Sequence, residues 1–255
     1  VIVRHRGKDF EVENPQPVNP QTVERILRAI TSLGARGRPF TPDYLCDHFG
    51  ADGQIALTGI KRIYDVICET KSPKAEKFFK QWQILFGEVC GYDVHGDNPK
   101  IKKLGEHYHI PKAKPAELLF SVHTYYGIFI KLLAAEIVAS FSPLGMSALK
   151  KLVEAPTSNK LKSELHNLEQ GGIWSQIGIR NFLEGDIFSW YLDAWDERCY
   201  ETVKDMVRVL DEYDPNTLSV EPSESRDLLK KLYQHLFPKS CLLYTSDAAD
   251  EEDSV

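Results

Sequence analysis

PAELLFSVHTYYGIFIKLLAAEIVASF, residues 115–141, is the stretch on which the rest of the chain depends. Leu118, Leu119, Val122, Tyr125, Tyr126, Phe129, Ile130, Leu132, Leu133, Ile137 and Phe141 leave it almost no polar face. Pro115 suits a first helical turn, where its missing N–H is no loss, and Glu117 lies at the positive end of the helix dipole. A helix that is apolar nearly all round is either buried on most sides or spans a membrane. His123, Lys131 and Glu136 interrupt it, and no run of about 18 uncharged apolar residues exists. The stretch therefore predicts a core helix that other helices wrap, in a protein that does not enter a membrane.

On the N-terminal side, VIVRHRGKDFEVE (1–13) alternates around Gly7-Lys8 and predicts a β-hairpin. Pro15, Pro17 and Pro20 then forbid helix or central strand and make a semi-rigid connector. Helical spacing follows over 22–33. The basic loop GARGRP (34–39) leads to a short helix through Phe49, with Thr41 as its expected N-cap and Pro42 at its first position. Residues 54–69 should turn Leu57, Ile60, Ile63, Tyr64 and Ile67 inward. Residues 73–90 should be anchored by Phe78, Phe79, Trp82, Leu85, Phe86 and Val89. A short helix is expected near 101–107.

Beyond the central stretch, a short helix should end at Pro156 and a polar one should run from Ser158 to Glu169. The segment 173–195 has a helical pattern interrupted by Gly178 and Gly185. Further helices are expected over 196–212 and 224–236. No repeat of fixed period is visible. The fold class is all-α: a multi-helix bundle around a central buried helix (115–141), with a short N-terminal β-hairpin. The expected division is a hairpin and connector over 1–20, a helical domain over 21–239 and a tail over 240–255.

That tail begins CLLYTSDAAD (241–250), which resembles a translated sequencing adapter; EEDSV fits its continuation. The expectation is that it is disordered and foreign to the fold. Removing its five acids lowers the acid count from 37 to 32 against 31 bases, a net charge of −1 instead of −6. Overall charge then does not argue against a nucleic-acid partner. Apolar content of 42% supports a folded protein. Five scattered cysteines with no CxxC and no signal peptide suit a cytoplasmic location. The opening on Val in strand-like sequence suggests a piece of a longer chain.

No catalytic motif is present. Glu106-His107-Tyr108-His109, with His95 and His123, could hold a metal. Without paired cysteines or an HExxH, however, surface histidines are the better reading. His123 could act chemically or could be a hydrogen-bonded core residue, which its buried helix favours. Phe182, Trp190, Tyr191 and Trp195 could stack on bases, but their spacing favours packing. Arg36, Arg38, Lys61 and Arg62 are the candidate phosphate contacts, set against the ordinary alternative of solvated surface charge.

Four stretches carry a resemblance: FFKQWQILFGEVCGYD (78–93), LLFSVHTYYGIFIKLLAAEIVASF (118–141), IRNFLEGDIFSWYLDAW (179–195) and RDLLKKLYQHLFPK (226–239). In this order they resemble the helical region of type IIG-like restriction–modification enzymes, bacterial N6-adenine DNA methyltransferases in which one chain joins cleavage, methylation and target recognition. Leu232, Tyr233, Gln234, Leu236 and Pro238 match the segment that runs into the methyltransferase domain of that family. The Gly-rich cofactor loop, the N-P-P-[FY] motif that positions a flipped adenine and a PD…(D/E)xK nuclease site are all absent. The resemblance implies a helical connector with no catalytic, cofactor or metal residues of its own. It also implies a parent enzyme that uses S-adenosylmethionine and DNA, with an adjoining methyltransferase domain and a possible nuclease domain. A free-standing helical interaction or scaffold module is the alternative.

Overall fold

Helix α5, Pro115–Ser140, runs through the centre of the computed structural model, which describes residues 3–6, 9–12, 17–20, 22–23, 37–90, 99–140, 147–171, 187–214 and 217. Leu118, Phe120, Val122, Tyr125 and Phe129 have no exposed surface. Each such side chain contributes about 1.5–3 kcal/mol by leaving water. Ile130, expected inside, is instead 38% exposed. Among the described residues, 115–139 is the one helix long and apolar enough to cross a membrane, and 78% of its apolar window is buried within the protein.

The other elements form around it in chain order. Strands β1 (Val3–Arg6) and β2 (Asp9–Val12) make the expected antiparallel hairpin, pairing Val3 with Val12 and Arg6 with Asp9. Asn19 and Thr22 exchange reciprocal bonds, each backbone N–H donating to the other's side-chain oxygen at 2.8 Å. This capping arrangement opens a helical turn at Pro20. The rest of the expected 22–33 helix lies outside the described residues, as do the 224–236 helix and the 240–255 tail.

Strand β3 (Arg38–Pro39) precedes α1 (Pro42–Phe49), α2 (Gln54–Glu69), α3 (Pro73–Cys90) and α4 (Pro99–His107). After α5 come α6 (Lys150–Val153), α7 (Ser158–Glu169), a 3-10 turn (Ile187–Leu192), α8 (Glu197–Leu210) and strand β4 (Tyr213–Asp214). Thr41 stands at the N-cap of α1 with Pro42 behind it, but its side chain makes no cap hydrogen bond. Thr157 and Asp196 do cap α7 and α8, through Lys160 N–H and through Arg198 and Cys199 N–H respectively.

Helix α2 lies against both α5 and α8. The three meet at Gly59, where an added Cβ would stand 3.0 Å from Tyr125 Cε2 and 3.1 Å from Thr202 Cγ2. A side chain there would have to push these neighbours back by a few tenths of an ångström. Helix α3 makes shallower contact. Trp82 is buried and Phe78, Phe79 and Phe86 are half-buried. Leu85, expected inside, is 52% exposed, because it falls on the edge of the stripe that Ala75 and Trp82 define.

Two further features depart from the spacing argument. Trp190, Tyr191 and Leu192 are buried in succession, and the chain there is a 3-10 turn rather than a continuation of the α-helical pattern. Strands β3 and β4, two residues each and far apart in sequence, pair in parallel, with Arg38 opposite Tyr213 and Pro39 opposite Asp214. Arg38 N–H donates to Glu212 O at 2.7 Å, and Phe40 N–H to Thr217 Oγ1 at 2.7 Å.

Candidate functional site

The chemistry-bearing side chains fall into a buried group and a surface group. In the buried group, Trp82 Nε1–H donates to His123 Nδ1 at 3.1 Å. Indole can only donate, so His123 carries its proton on Nε2. Trp82, Phe86 and Phe188 enclose the imidazole, with ring centres 5.5, 4.8 and 6.3 Å away. Burial pushes its pKa down to about 4. His123 is thus a neutral core histidine whose acceptor nitrogen is already occupied. Nearby, Phe120 stacks on Trp190 at 5.5 Å, and Trp190 Nε1–H donates to Thr124 Oγ1 at 2.9 Å. Trp195 Nε1–H donates to Ser158 Oγ at 2.9 Å. Trp190 and Tyr191 are core residues; Phe182 lies outside the described residues.

Lys131 Nζ bonds both oxygens of Glu169 at 2.8 Å, and Tyr191 Oη–H donates to Glu169 Oε1 at 3.1 Å. Lys131 and Glu169 are both under a tenth exposed, and an isolated charge there would be costly. The second buried carboxylate, Glu136, accepts through Oε2 from Ser147 Oγ–H and from the Ala148 and Leu149 N–H groups, at 3.0, 2.9 and 3.2 Å. Burial raises its pKa, against the opposing pull of those three bonds. Glu136 thereby ties the entrance of α6 to the central helix. Both carboxylates serve the fold.

At the surface, the described candidate cations have different partners. Arg38 Nε lies 3.1 Å from Glu212 Oε2, and its guanidinium donates to His48 Nε2 at 2.8 Å. His48 Nδ1 bonds Tyr213 Oη, which donates onward to Tyr44 O at 2.6 Å. Proton positions in that chain are therefore determined: His48 carries its hydrogen on Nδ1 and presents Nε2 to the arginine. Arg62 pairs with Asp205 of α8 at 2.8 Å, whereas Glu212 follows the end of that helix. Lys61 is exposed. Arg36 lies outside the described residues. Two of the four candidates are thus engaged by acids of the chain itself, and these partners were 143 and 174 residues too distant for any spacing argument to find.

The 106–109 run is spread apart. His107 Nε2 bonds Ala51 O at 2.9 Å and stands 3.6 Å from Asp52, Tyr108 is buried, and His109 is exposed with φ 60°. Among the described residues no three His, Cys, Asp or Glu side chains converge as metal ligands would. Burial pushes the Cys46 and Cys199 thiols up to about 11 and about 12, holding them protonated.

No known protein family matches the chain, and no curated protein or solved structure is similar to it. Both buried carboxylates among the described residues, Glu136 and Glu169, are held by internal partners.

Proposed function

We propose that this chain is the helical connector of a type IIG-like restriction–modification enzyme. The whole polypeptide would transfer methyl from S-adenosylmethionine to adenine N6 in DNA, in the cytoplasm, and the connector itself does no chemistry. The observation that carries this reading is a convergence. Phe79, Trp82 and Phe86 come from the first resembling stretch, Phe120 and His123 from the second, and Phe188 and Trp190 from the third. All seven join one aromatic cluster. What the resemblance picks out is therefore a packing centre of a helical module rather than a set of reacting groups. The fourth stretch, 226–239, lies outside the described residues.

Ile84 and Leu85, 57% and 52% exposed side by side on α3, add support, since a connector presents apolar surface to its neighbouring domains. The same pair suits the second reading, a free-standing helical interaction module. Sequencing the genomic locus past the Lys239 codon separates the two. A methyltransferase domain with an N-P-P-[FY] motif in frame is expected; a long open frame without one overturns the proposal. Calorimetry of the chain with S-adenosylmethionine adds a second check. No heat of binding is expected at micromolar cofactor, and saturable binding would make the connector part of an active site.

A further inference from the structure

One run of positive charge lies outside the phosphate contacts expected from Arg36, Arg38, Lys61 and Arg62. Residues 99–114, PKIKKLGEHYHIPKAK, hold five lysines and a single acid, Glu106, in a protein whose net charge is −6. Lys102, Lys103, Lys112 and Lys114 are exposed. Lys103 and Lys112 have no acidic partner among the described residues, and Lys114 reaches Glu117 only at 3.5 Å. By contrast, Arg38 and Arg62 already face Glu212 and Asp205.

The backbone that carries these lysines is fixed. Where α4 ends, Tyr108 N–H donates to Leu104 O at 3.1 Å, His109 N–H to Glu106 O at 3.0 Å and Ile110 N–H to Gly105 O at 2.6 Å. Residue 109 takes the left-handed conformation that reverses the chain. Gly105 must lack a side chain, since a Cβ there would stand 2.7 Å from Ile110 O. On either side of the turn, His107 is bonded to Ala51 O, and Lys114 N–H donates to Tyr64 Oη at 3.0 Å. The charges thus stand on an ordered turn between two helices, so little backbone entropy is lost when a partner is engaged.

We propose that this lysine surface, Lys102, Lys103, Lys112 and Lys114 around the α4–α5 turn, contacts the phosphate backbone of a nucleic acid. Compact ammonium groups on flexible stems suit phosphate oxygens and read no base sequence. A membrane is the other polyanionic surface such charge could meet, but membrane-binding basic segments also insert apolar side chains. Here Ile101, Leu104 and Tyr108 are all buried. The inference rests on the proposed connector role only for its choice of duplex DNA as the nucleic acid.

The test is fluorescence anisotropy of a labelled 20-base-pair DNA duplex with the full chain, over a range of salt. Binding at low salt should be indifferent to sequence and weaken linearly on a log–log plot against salt. Lys103→Ala/Lys112→Ala should bind roughly tenfold more weakly at low salt and flatten the slope by about two. Lys150→Ala/Lys151→Ala, an equal charge change elsewhere on the surface, should leave both unchanged. Far-ultraviolet circular dichroism should be the same for all three proteins, because the substituted side chains are exposed. Absent binding at low salt, equal losses in the two variants, or binding to phosphatidylserine vesicles but not to DNA would each overturn the proposal. Such a failure would leave the connector reading standing, because that reading is decided at the genomic locus. A locus without a methyltransferase domain would in turn leave DNA binding through these lysines intact.

Discussion

Helices α2 and α3 follow one another in the chain, have 16 and 18 residues, and carry the same helical spacing of large apolar residues, yet they meet the core differently. Seven residues of α2 are buried, Gly59 among them, because α5 and α8 cover it from two sides. Helix α3 touches the centre through a row of aromatic rings and leaves Ile84 and Leu85 in solvent. Spacing tells that a helix has an inner face. How many neighbours that face meets depends on elements remote in sequence.

The largest expected effect tests the centre on which both helices pack. Phe129, fully buried and stacked on Phe49 at 4.5 Å, should cost about 3–5 kcal/mol when replaced by alanine, measured by urea unfolding. A variant of unchanged stability would show that α5 is not the core.

Next comes the α3 side, through pH. The folded pKa of His123 is pushed from 6.5 down to about 4 by burial. As pH falls below 6.5, the unfolded chain takes the proton first, so this residue's contribution is complete above that pH and declines until about pH 4. The difference amounts to about 3 kcal/mol. Unfolding of the wild-type protein and of His123→Asn at pH 7 and pH 4.5 isolates it from the carboxylates, which titrate in both. The variant should lose less stability than the wild type on acidification, and parallel losses would mean that the imidazole is open to water.

Gly59→Ala probes the double coverage of α2. The helical backbone gains from alanine, but the added methyl meets Tyr125 and Thr202. A net loss of about 1–3 kcal/mol is expected, as for an overpacked core. Stabilisation would mean that the three helices have room to spare. The smallest effect belongs to Ile84→Ser/Leu85→Ser, which should stay within about 0.5 kcal/mol per site in thermal unfolding, as exposed substitutions do. A large loss there would show that the outer side of α3 is covered within the chain, and α2 and α3 would no longer differ.

Much of the fold was legible in the sequence, for reasons particular to each element. The 26 residues of α5 declared themselves by apolarity, and α7 matched its expected bounds of Ser158 and Glu169 because Thr157 and the Gly171-Gly172 pair punctuate it. Charge partners were not legible. Lys131 looked like an interruption in an apolar helix; its acceptor Glu169 lies 38 residues away on α7. The β3–β4 pair was invisible because two-residue strands have no period to detect. The same limit applies to the candidate surface. An arginine in a loop looks available until its acid is found, whereas the lysines of 102–114 could have been found by counting charge in a window.

That inconspicuous β3–β4 pair has a mechanical consequence. It joins residues 38–39 to 213–214, so the described helices from α1 to α8 form a closed loop fastened at its neck. The strands are parallel, and the chain enters at the start of one and leaves at the end of the other. Tension applied through those two exits therefore pulls the strands along each other, loading their hydrogen bonds and the Arg38–Glu212 pair in shear. The helical core is shielded from the load until that clasp slips.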